Sequence, residues 1–143
     1  MSAAGGAGLE IVLGRRYHFA ASHRLHSAKL SAEENRRVYG KCNNPYGHGH
    51  NYVLEVQVSG EVDPATGMIA NLADLDAFVG REVLEAFDHR NLNEEVAAFR
   101  EVVPTTENLC KEAYARIKGH GAARLLRVRI EETGNNSFEY DGK

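Results

Sequence analysis

Three histidines have the residue type and the spacing of a metal site. His48 and His50 are separated by one residue, a spacing that places both side chains on the same side of a strand. His23 lies in an earlier segment whose side chains also alternate. Three neutral imidazoles leave one coordination position open, which is typical of catalytic zinc and not of a closed structural site. The competing interpretation is a chance H-x-H pair whose side chains serve only local hydrogen bonding.

Two alternating segments would bring these imidazoles together. Residues 11–23 carry mostly apolar side chains at odd positions and end at His23. Residues 48–58 begin with His48 and His50 and continue with apolar side chains at even positions. Period two predicts a strand in each case. If these strands pair antiparallel, the end of the first lies beside the start of the second, so the three histidines converge. The other histidines lack this placement, and they are His18, His26, His89 and His120.

The remaining segments predict two helices and two further strands. One helix begins after Asn71 as its N-cap, and a second begins near residues 105–106, just after Pro104. Strands follow at about 124–132 and 137–140. The order β-β-α-α-β-β predicts an α+β fold, a four-stranded antiparallel sheet with two helices on one face. Two open sheet edges would favour oligomerisation. We expect a flexible tail over residues 1–8 and a single domain over 9–143.

Composition narrows the class of protein. The chain has 143 residues, of which 43% are hydrophobic. Its net charge of −3 does not indicate the basic surface of a nucleic-acid-binding protein. No apolar run approaches the ~18 residues of a membrane span, and the N-terminus lacks a signal-peptide pattern. Two cysteines suit a reducing compartment, so we expect a cytoplasmic protein without membrane or nucleic-acid partners. Cys110 lies on an apolar helix stripe and is predicted to pack in the core.

Several spaced motifs resemble one enzyme family over residues 10–143. The segment 40–52, GKCNNPYGHGHNY, follows ASHRL at 21–25. Further along the chain come DPATGM at 63–68, NLADL at 71–75, DH at 88–89, NL at 91–92, TTEN at 105–108 and ET at 132–133. In this order they resemble the animal-type branch of the 6-pyruvoyltetrahydropterin synthase family.

The resemblance implies an assembly and a reaction. Members of the family have a tunnelling fold, in which the sheets of three subunits join into a barrel and two trimers stack as a homohexamer with active sites between subunits. They are zinc-dependent lyases with one Zn²⁺ per subunit. They convert 7,8-dihydroneopterin triphosphate into 6-pyruvoyl-tetrahydropterin and release triphosphate, on the route to tetrahydrobiopterin.

The resemblance also implies catalytic roles. It makes His23, His48 and His50 the zinc ligands, and the metal a Lewis acid for the substrate's side-chain oxygens. It makes Cys42 the group that abstracts a proton. An unperturbed thiol, with a pKa of about 8.5, is mostly protonated at neutral pH, so Cys42 needs a neighbouring cation. His89, oriented by Asp88, is the cation that the resemblance implies, with zinc nearby.

A carboxylate is the expected anchor of the pterin ring. The resemblance assigns this role to Glu132, whose two oxygens can accept the ring's amino group and adjacent N–H together. Parity supports the choice, because Glu132 continues the inward apolar positions of the strand at 124–132, whereas Glu131 shares the outward face. The rest of the predicted pterin pocket comprises Thr105, Thr106 and Glu107.

Simpler interpretations compete with several of these roles. Cys42 could be a fourth zinc ligand in a closed site. Asp88 and His89 could be an ordinary pair at a helix C-terminus, and Thr105 with Glu107 could merely form a capped first helical turn. Residues 15–16, an Arg-Arg pair, could contact triphosphate or lie as solvated strand positions.

Two rival functions remain. In the queuosine-pathway branch, 6-carboxytetrahydropterin synthase, the cysteine typically lies four residues before the first histidine of H-x-H. Here Cys42 precedes His48 by six residues, which favours the animal-type enzyme. The rival from another class is a non-catalytic zinc-binding structural or interaction protein.

Overall fold

A computed structural model describes residues 10–121 and 123–143 of the chain. The predicted tail, residues 1–8, and residue 9 lie outside the described residues. The strands are β1 (Ile11–His23), β2 (His48–Gly60), β3 (Arg90–Asn91), β4 (Arg124–Thr133) and β5 (Asn136–Tyr140). The α-helices are α1 (Ala32–Tyr39), α2 (Leu72–Val79), α3 (Glu85–Phe87), α4 (Leu92–Glu95) and α5 (Thr106–Ile117). A π-helical stretch at Gly80–Leu84 joins α2 to α3, and 3₁₀ turns lie at Gly40–Asn43 and Ala97–Phe99.

The strands form one mixed sheet in the order β3-β1-β2-β4-β5. All pairings are antiparallel except that of β1 with β3, which is parallel. The α+β class is confirmed, but the predicted four-stranded, wholly antiparallel sheet is wrong because β3 adds a fifth strand. β3 pairs only Arg90 and Asn91 with β1. Two residues are too few for side-chain alternation to reveal a strand.

The two predicted helices are present, but the structure also contains α-helices that were not predicted. Helix α2 begins after Asn71, and α5 begins after Thr105. Helix α1 was not predicted, because only Asn35 of its eight residues is buried and it therefore shows no apolar stripe. Its sequence signal is the capping box of Ser31 and Glu34, in which each side chain accepts a hydrogen bond from the other residue's backbone N–H.

The hydrophobic core lies between one face of the sheet and the helices. The inward positions of β1, β2 and β4 pack against the apolar stripes of α2 and α5. Cys110 is buried in this core, as predicted. Burial along β1 rises toward His23, which is 1% exposed. The histidine therefore ends the apolar face and stands at the margin of the core. Within the described ranges, no helix is both long enough and apolar enough to cross a membrane.

Candidate metal centre and its surroundings

The antiparallel register of β1 and β2 brings the three histidines together. His23 pairs with His48, and His50 pairs with Ala21, two residues before His23. The Nε2 atom of His48 lies 3.2 Å from Nε2 of His23 and 3.0 Å from Nε2 of His50. One ligand atom of each imidazole lies within 4.8 Å of the others. The three side chains form a group that could hold a metal ion, as their spacing predicts.

The protonation of these imidazoles also suits a metal. The Nδ1 atom of His23 lies 2.8 Å from the carbonyl oxygen of Pro104, which can only accept a hydrogen bond. Nδ1 therefore carries the proton, and the lone pair of Nε2 faces the other histidines. Burial lowers the pKa of His23 and of His50, which favours the neutral form that binds metals. Nitrogen ligands about 2.0–2.1 Å from a tetrahedral zinc ion would lie about 3.3 Å apart, close to the separations in this group.

Glu132 stands directly beside the three histidines. Its Oε2 atom lies 3.8 Å from Nε2 of His50 and 4.0 Å from Nε2 of His23, and its side chain is 18% exposed. Thr106 donates a hydrogen bond to Oε2 at 2.7 Å, and Asn136 donates to Oε1 at 3.0 Å. Burial alone raises the pKa of Glu132, but these hydrogen bonds and the histidines outweigh it and lower the pKa overall. The site therefore holds a carboxylate anion in a fixed orientation.

A bulge between β4 and β5 places this carboxylate. Glu131 pairs with Ser137 and Thr133 pairs with Asn136, so Glu132 is an extra residue without its own partner on β5. Bulges of this kind redirect a side chain next to a site. Glu131 lies on the other face of the sheet, where its carboxylate accepts a hydrogen bond from Arg16 at 3.0 Å.

Cys42 is half-buried in the 3₁₀ turn that follows α1. Its carbonyl oxygen accepts a hydrogen bond from the backbone N–H of Leu25 at 2.8 Å. Burial, and then the negative charge of Glu132, raise the pKa of the thiol. The metal-binding group found among the described residues contains only the three histidines and does not include Cys42. Cys42 thus lies near the site as a protonated thiol.

Asp88 and His89 are fixed to the outer side of β1. The backbone N–H of His89 donates to the carbonyl oxygen of Ala20 at 2.6 Å, and Asp88 accepts from the N–H of Ala20 at 2.9 Å. His89 has a φ of 61°, the only positive value for a non-glycine residue in the described part of the chain. Such backbone strain is concentrated at functional sites.

The imidazole of His89 pairs with Asp88 but not with Cys42. Its Nδ1 atom lies 3.0 Å from Oδ1 of Asp88, and the side chain is 83% exposed. It borders a shallow cleft of about 310 Å³ together with Ser22, His50 and Arg90. Among the hydrogen bonds of residues 10–121 and 123–143, none joins His89 to Cys42. A single chain therefore does not assemble the cysteine–histidine–aspartate relay.

The three residues predicted for the pterin pocket have different surroundings. Thr105 is the N-cap of α5, and its hydroxyl accepts a hydrogen bond from the N–H of Asn108 at 3.2 Å. Thr106 is buried and contacts Glu132, whereas Glu107 is exposed in the first turn. Asn136, which donates a hydrogen bond to Glu132 from the neighbouring strand, was not among the predicted site residues. No local pattern marks Asn136, because its contact depends on the turn between β4 and β5.

Comparison with known proteins decides the family. The model of the 6-pyruvoyl tetrahydropterin synthase family matches residues 12–143, nearly the whole chain. The chain belongs to this family. It is 46% identical over 140 residues to the 6-pyruvoyl tetrahydrobiopterin synthase of Homo sapiens, covering 97% of each protein. It is 49% identical over 126 residues to that of Poecilia reticulata, covering 87% of this chain and 86% of the relative.

Structural comparison agrees with membership of the 6-pyruvoyl tetrahydropterin synthase family. The 6-pyruvoyl tetrahydropterin synthase of Caenorhabditis elegans superposes with a TM-score of 0.90 at 44% identity, covering 94% of this chain and 96% of that one. A putative 6-carboxy-5,6,7,8-tetrahydropterin synthase of Archaeoglobus fulgidus is also related, at 32% identity over 123 residues, covering 86% of this chain and 89% of the relative.

Proposed function

We propose that this protein converts 7,8-dihydroneopterin triphosphate into 6-pyruvoyl-tetrahydropterin with elimination of triphosphate, as a zinc-dependent carbon–oxygen lyase of cytoplasmic tetrahydrobiopterin synthesis. The observation that carries the proposal is the convergence of three imidazoles and one ionised carboxylate in a chain of this family. The relatives named 6-pyruvoyl tetrahydrobiopterin synthase are more similar to it than is the 6-carboxy relative, at 46–49% against 32% identity.

The three histidines are proposed to hold Zn²⁺. When bound, the ion supplies Lewis-acid polarisation of oxygens on the substrate's side chain. The chain's own contribution is to keep the imidazoles neutral and fixed. For His23, burial favours the neutral form, and the carbonyl of Pro104 fixes the ring through Nδ1. Burial of His23 at the margin of the core also keeps bulk water from one side of the centre.

Glu132 is proposed to accept hydrogen bonds from the substrate, as the anchor of its pterin ring. Thr106 and Asn136 each occupy one lone pair of the carboxylate, and each carboxylate oxygen has a second lone pair for a ligand. The two donors also keep the carboxylate ionised and oriented before the substrate arrives. Thr105, Thr106 and Glu107 are the proposed second part of the pocket.

Cys42 is proposed to take a proton from the carbon next to a substrate hydroxyl. The raised pKa of its thiol in a single chain means that a cation must be added for the thiolate to form. We assign this task to His89, with Asp88 orienting it, from a neighbouring copy of the chain in a homohexamer. The exposed imidazole of His89 and the open edges of the sheet support an arrangement of this kind.

Product analysis tests the function. Zinc-loaded protein is incubated with 7,8-dihydroneopterin triphosphate, and the pterin, inorganic and two-carbon products are identified by mass spectrometry. We expect 6-pyruvoyl-tetrahydropterin and triphosphate, with activity lost on chelation and regained with zinc. His50→Ala should behave like chelated protein, and His18→Ala, on the outer face, like the wild type.

The same assay separates the alternatives. Acetaldehyde together with a carboxy-pterin would assign the protein to the queuosine-type reaction. Stoichiometric zinc without any turnover would indicate a structural or interaction protein and overturn the proposed activity.

A further inference from the structure

A cleft of about 450 Å³ is formed by segments next to those that carry the candidate metal ligands. Three of its lining residues adjoin the metal ligands. Arg24 follows His23 in the chain, Gly47 precedes His48, and the carbonyl of Pro104 holds the imidazole of His23. Neighbouring Cα atoms in a chain are only about 3.8 Å apart. The cleft and the metal centre therefore lie on neighbouring segments of the chain.

Three cationic side chains line the cleft. They belong to Arg24, Lys29 and Arg100, and His26 adds a fourth basic group. Within the described part of the chain, none of these three cations forms an ion pair with a carboxylate. Two exposed carboxylates, of Glu94 and Glu101, also border the cleft. The cations therefore outnumber the anions and are free to pair with a ligand.

Arg24 is held in place with its terminal nitrogens unused. Its backbone N–H donates to Oδ1 of Asn93 at 2.8 Å, and its carbonyl oxygen accepts from Nδ2 of Asn93 at 2.9 Å. Its Nε atom donates to the carbonyl oxygen of Asn43 at 3.0 Å. The two terminal nitrogens have no hydrogen-bond partner among the described residues. An arginine fixed in this way can bind a phosphate through two parallel hydrogen bonds at little entropic cost.

We propose that this cleft binds the triphosphate of the substrate, with Arg24 as its main ligand and with Lys29 and Arg100 supplying further charge. The inference rests on the proposed function, because a reaction that releases triphosphate must first hold it. The arginines of β1 are less suited, since Arg15 already pairs with Asp76 at 2.7 Å and Arg16 with Glu131 at 3.0 Å.

Binding measurements on two ligands test the assignment. Zinc-loaded protein carrying Cys42→Ala, so that substrate is not consumed, is titrated with 7,8-dihydroneopterin triphosphate and with 7,8-dihydroneopterin. Adding Arg24→Gln should weaken binding of the triphosphate ligand about tenfold to a hundredfold, the usual worth of charge-assisted hydrogen bonds. Binding of dihydroneopterin, which has no phosphate, should not change. Arg37→Gln, an exposed position on α1 outside the cleft, is the matched control and should change neither affinity.

A second variant guards against misfolding of Arg24→Gln. Lys29 and Arg100 are exposed, so the double variant Lys29→Gln/Arg100→Gln should fold. It should bind the triphosphate ligand several-fold more weakly and with a smaller dependence on salt concentration. Equal losses for both ligands, or no loss in either variant, would overturn the assignment.

The test of the triphosphate cleft can fail or succeed independently of the test of the proposed reaction. Formation of 6-pyruvoyl-tetrahydropterin with unchanged affinities in the Arg24 and double variants would refute the cleft alone. Absence of any pterin product, with a triphosphate-dependent affinity that requires Arg24, would refute the reaction and retain the cleft as a polyphosphate site.

Discussion

The thiol of Cys42 is sensitive to a charge on a distant strand. Glu132 disfavours the thiolate, and burial does so more strongly, so the pKa of Cys42 is raised. Replacing Glu132 by glutamine removes the negative charge, and the pKa of the thiol should fall. We expect the pH midpoint of iodoacetamide alkylation at Cys42 in metal-free protein to move to lower pH in Glu132→Gln. Glu131→Gln, on the opposite face, should leave the midpoint unchanged, and an unmoved midpoint in both would refute the coupling.

The same thiol has a separable role in catalysis. We expect Cys42→Ala to lower turnover about 10²–10⁴-fold, the usual worth of a general base. Zinc content, measured by atomic absorption, should stay at one ion per chain because the three histidines are intact. Loss of zinc in this variant would make Cys42 a metal ligand.

At the scale of elements, the first residues of α5 serve two purposes, capping the helix and contacting the candidate metal centre's carboxylate. Thr105 caps the helix, whereas Thr106 contacts Glu132. We expect Thr105→Ala to lower the free energy of unfolding by about 1 kcal/mol through loss of the cap. Thr105→Ser should restore it, and urea denaturation measures both. The Thr105→Ser variant could have the wild-type free energy of unfolding and yet a higher KM. In that case Thr105 contacts the substrate and does more than cap the helix.

At the scale of the whole molecule, the buried histidine makes stability depend on pH. His23 is buried, which lowers its pKa below the value of about 6.5 expected in the unfolded chain. Below that pH the unfolded chain binds a proton that the folded chain excludes, so folding stability should fall as pH decreases. Urea denaturation of metal-free protein between pH 7.5 and 5.5 should show this slope. The slope should be flatter in His23→Gln and unchanged in His18→Gln.

Assembly of several chains is the largest scale at which the site can be tested. Within one chain, no hydrogen bond among the described residues joins Cys42 to His89, so we expect them to act from different subunits. Inactive Cys42→Ala and inactive His89→Ala, unfolded together and refolded as mixed oligomers, should regain part of the wild-type turnover. A mixture of Cys42→Ala with Cys42→Ser should regain none. Failure of the first mixture would place both residues in one subunit or remove one of them from catalysis.

The sequence by itself determined the long strands and their inward faces. Side-chain alternation over residues 11–23 and 48–58 predicted β1 and β2. Their antiparallel pairing was the condition for the histidines to converge, and the structure confirms it. Alternation is readable because one face is apolar and the other is not. The N-cap Asn71 was readable because capping depends on residues only three apart. For α5 the sequence left the start open between residues 105 and 106, and the structure makes Thr105 the N-cap.

Only the tertiary structure decided how charges surround the site. β3 has two residues and no pattern, yet it pairs with β1 directly after Asp88 and His89, which are themselves hydrogen-bonded to Ala20. The bulge at Glu132 and the hydrogen bond from Asn136 arise from the register of β4 with β5. Arg24 is fixed by Asn93, 69 positions away in the chain. Contacts between distant segments depend on the packing of whole elements, so no local pattern of residues announces them.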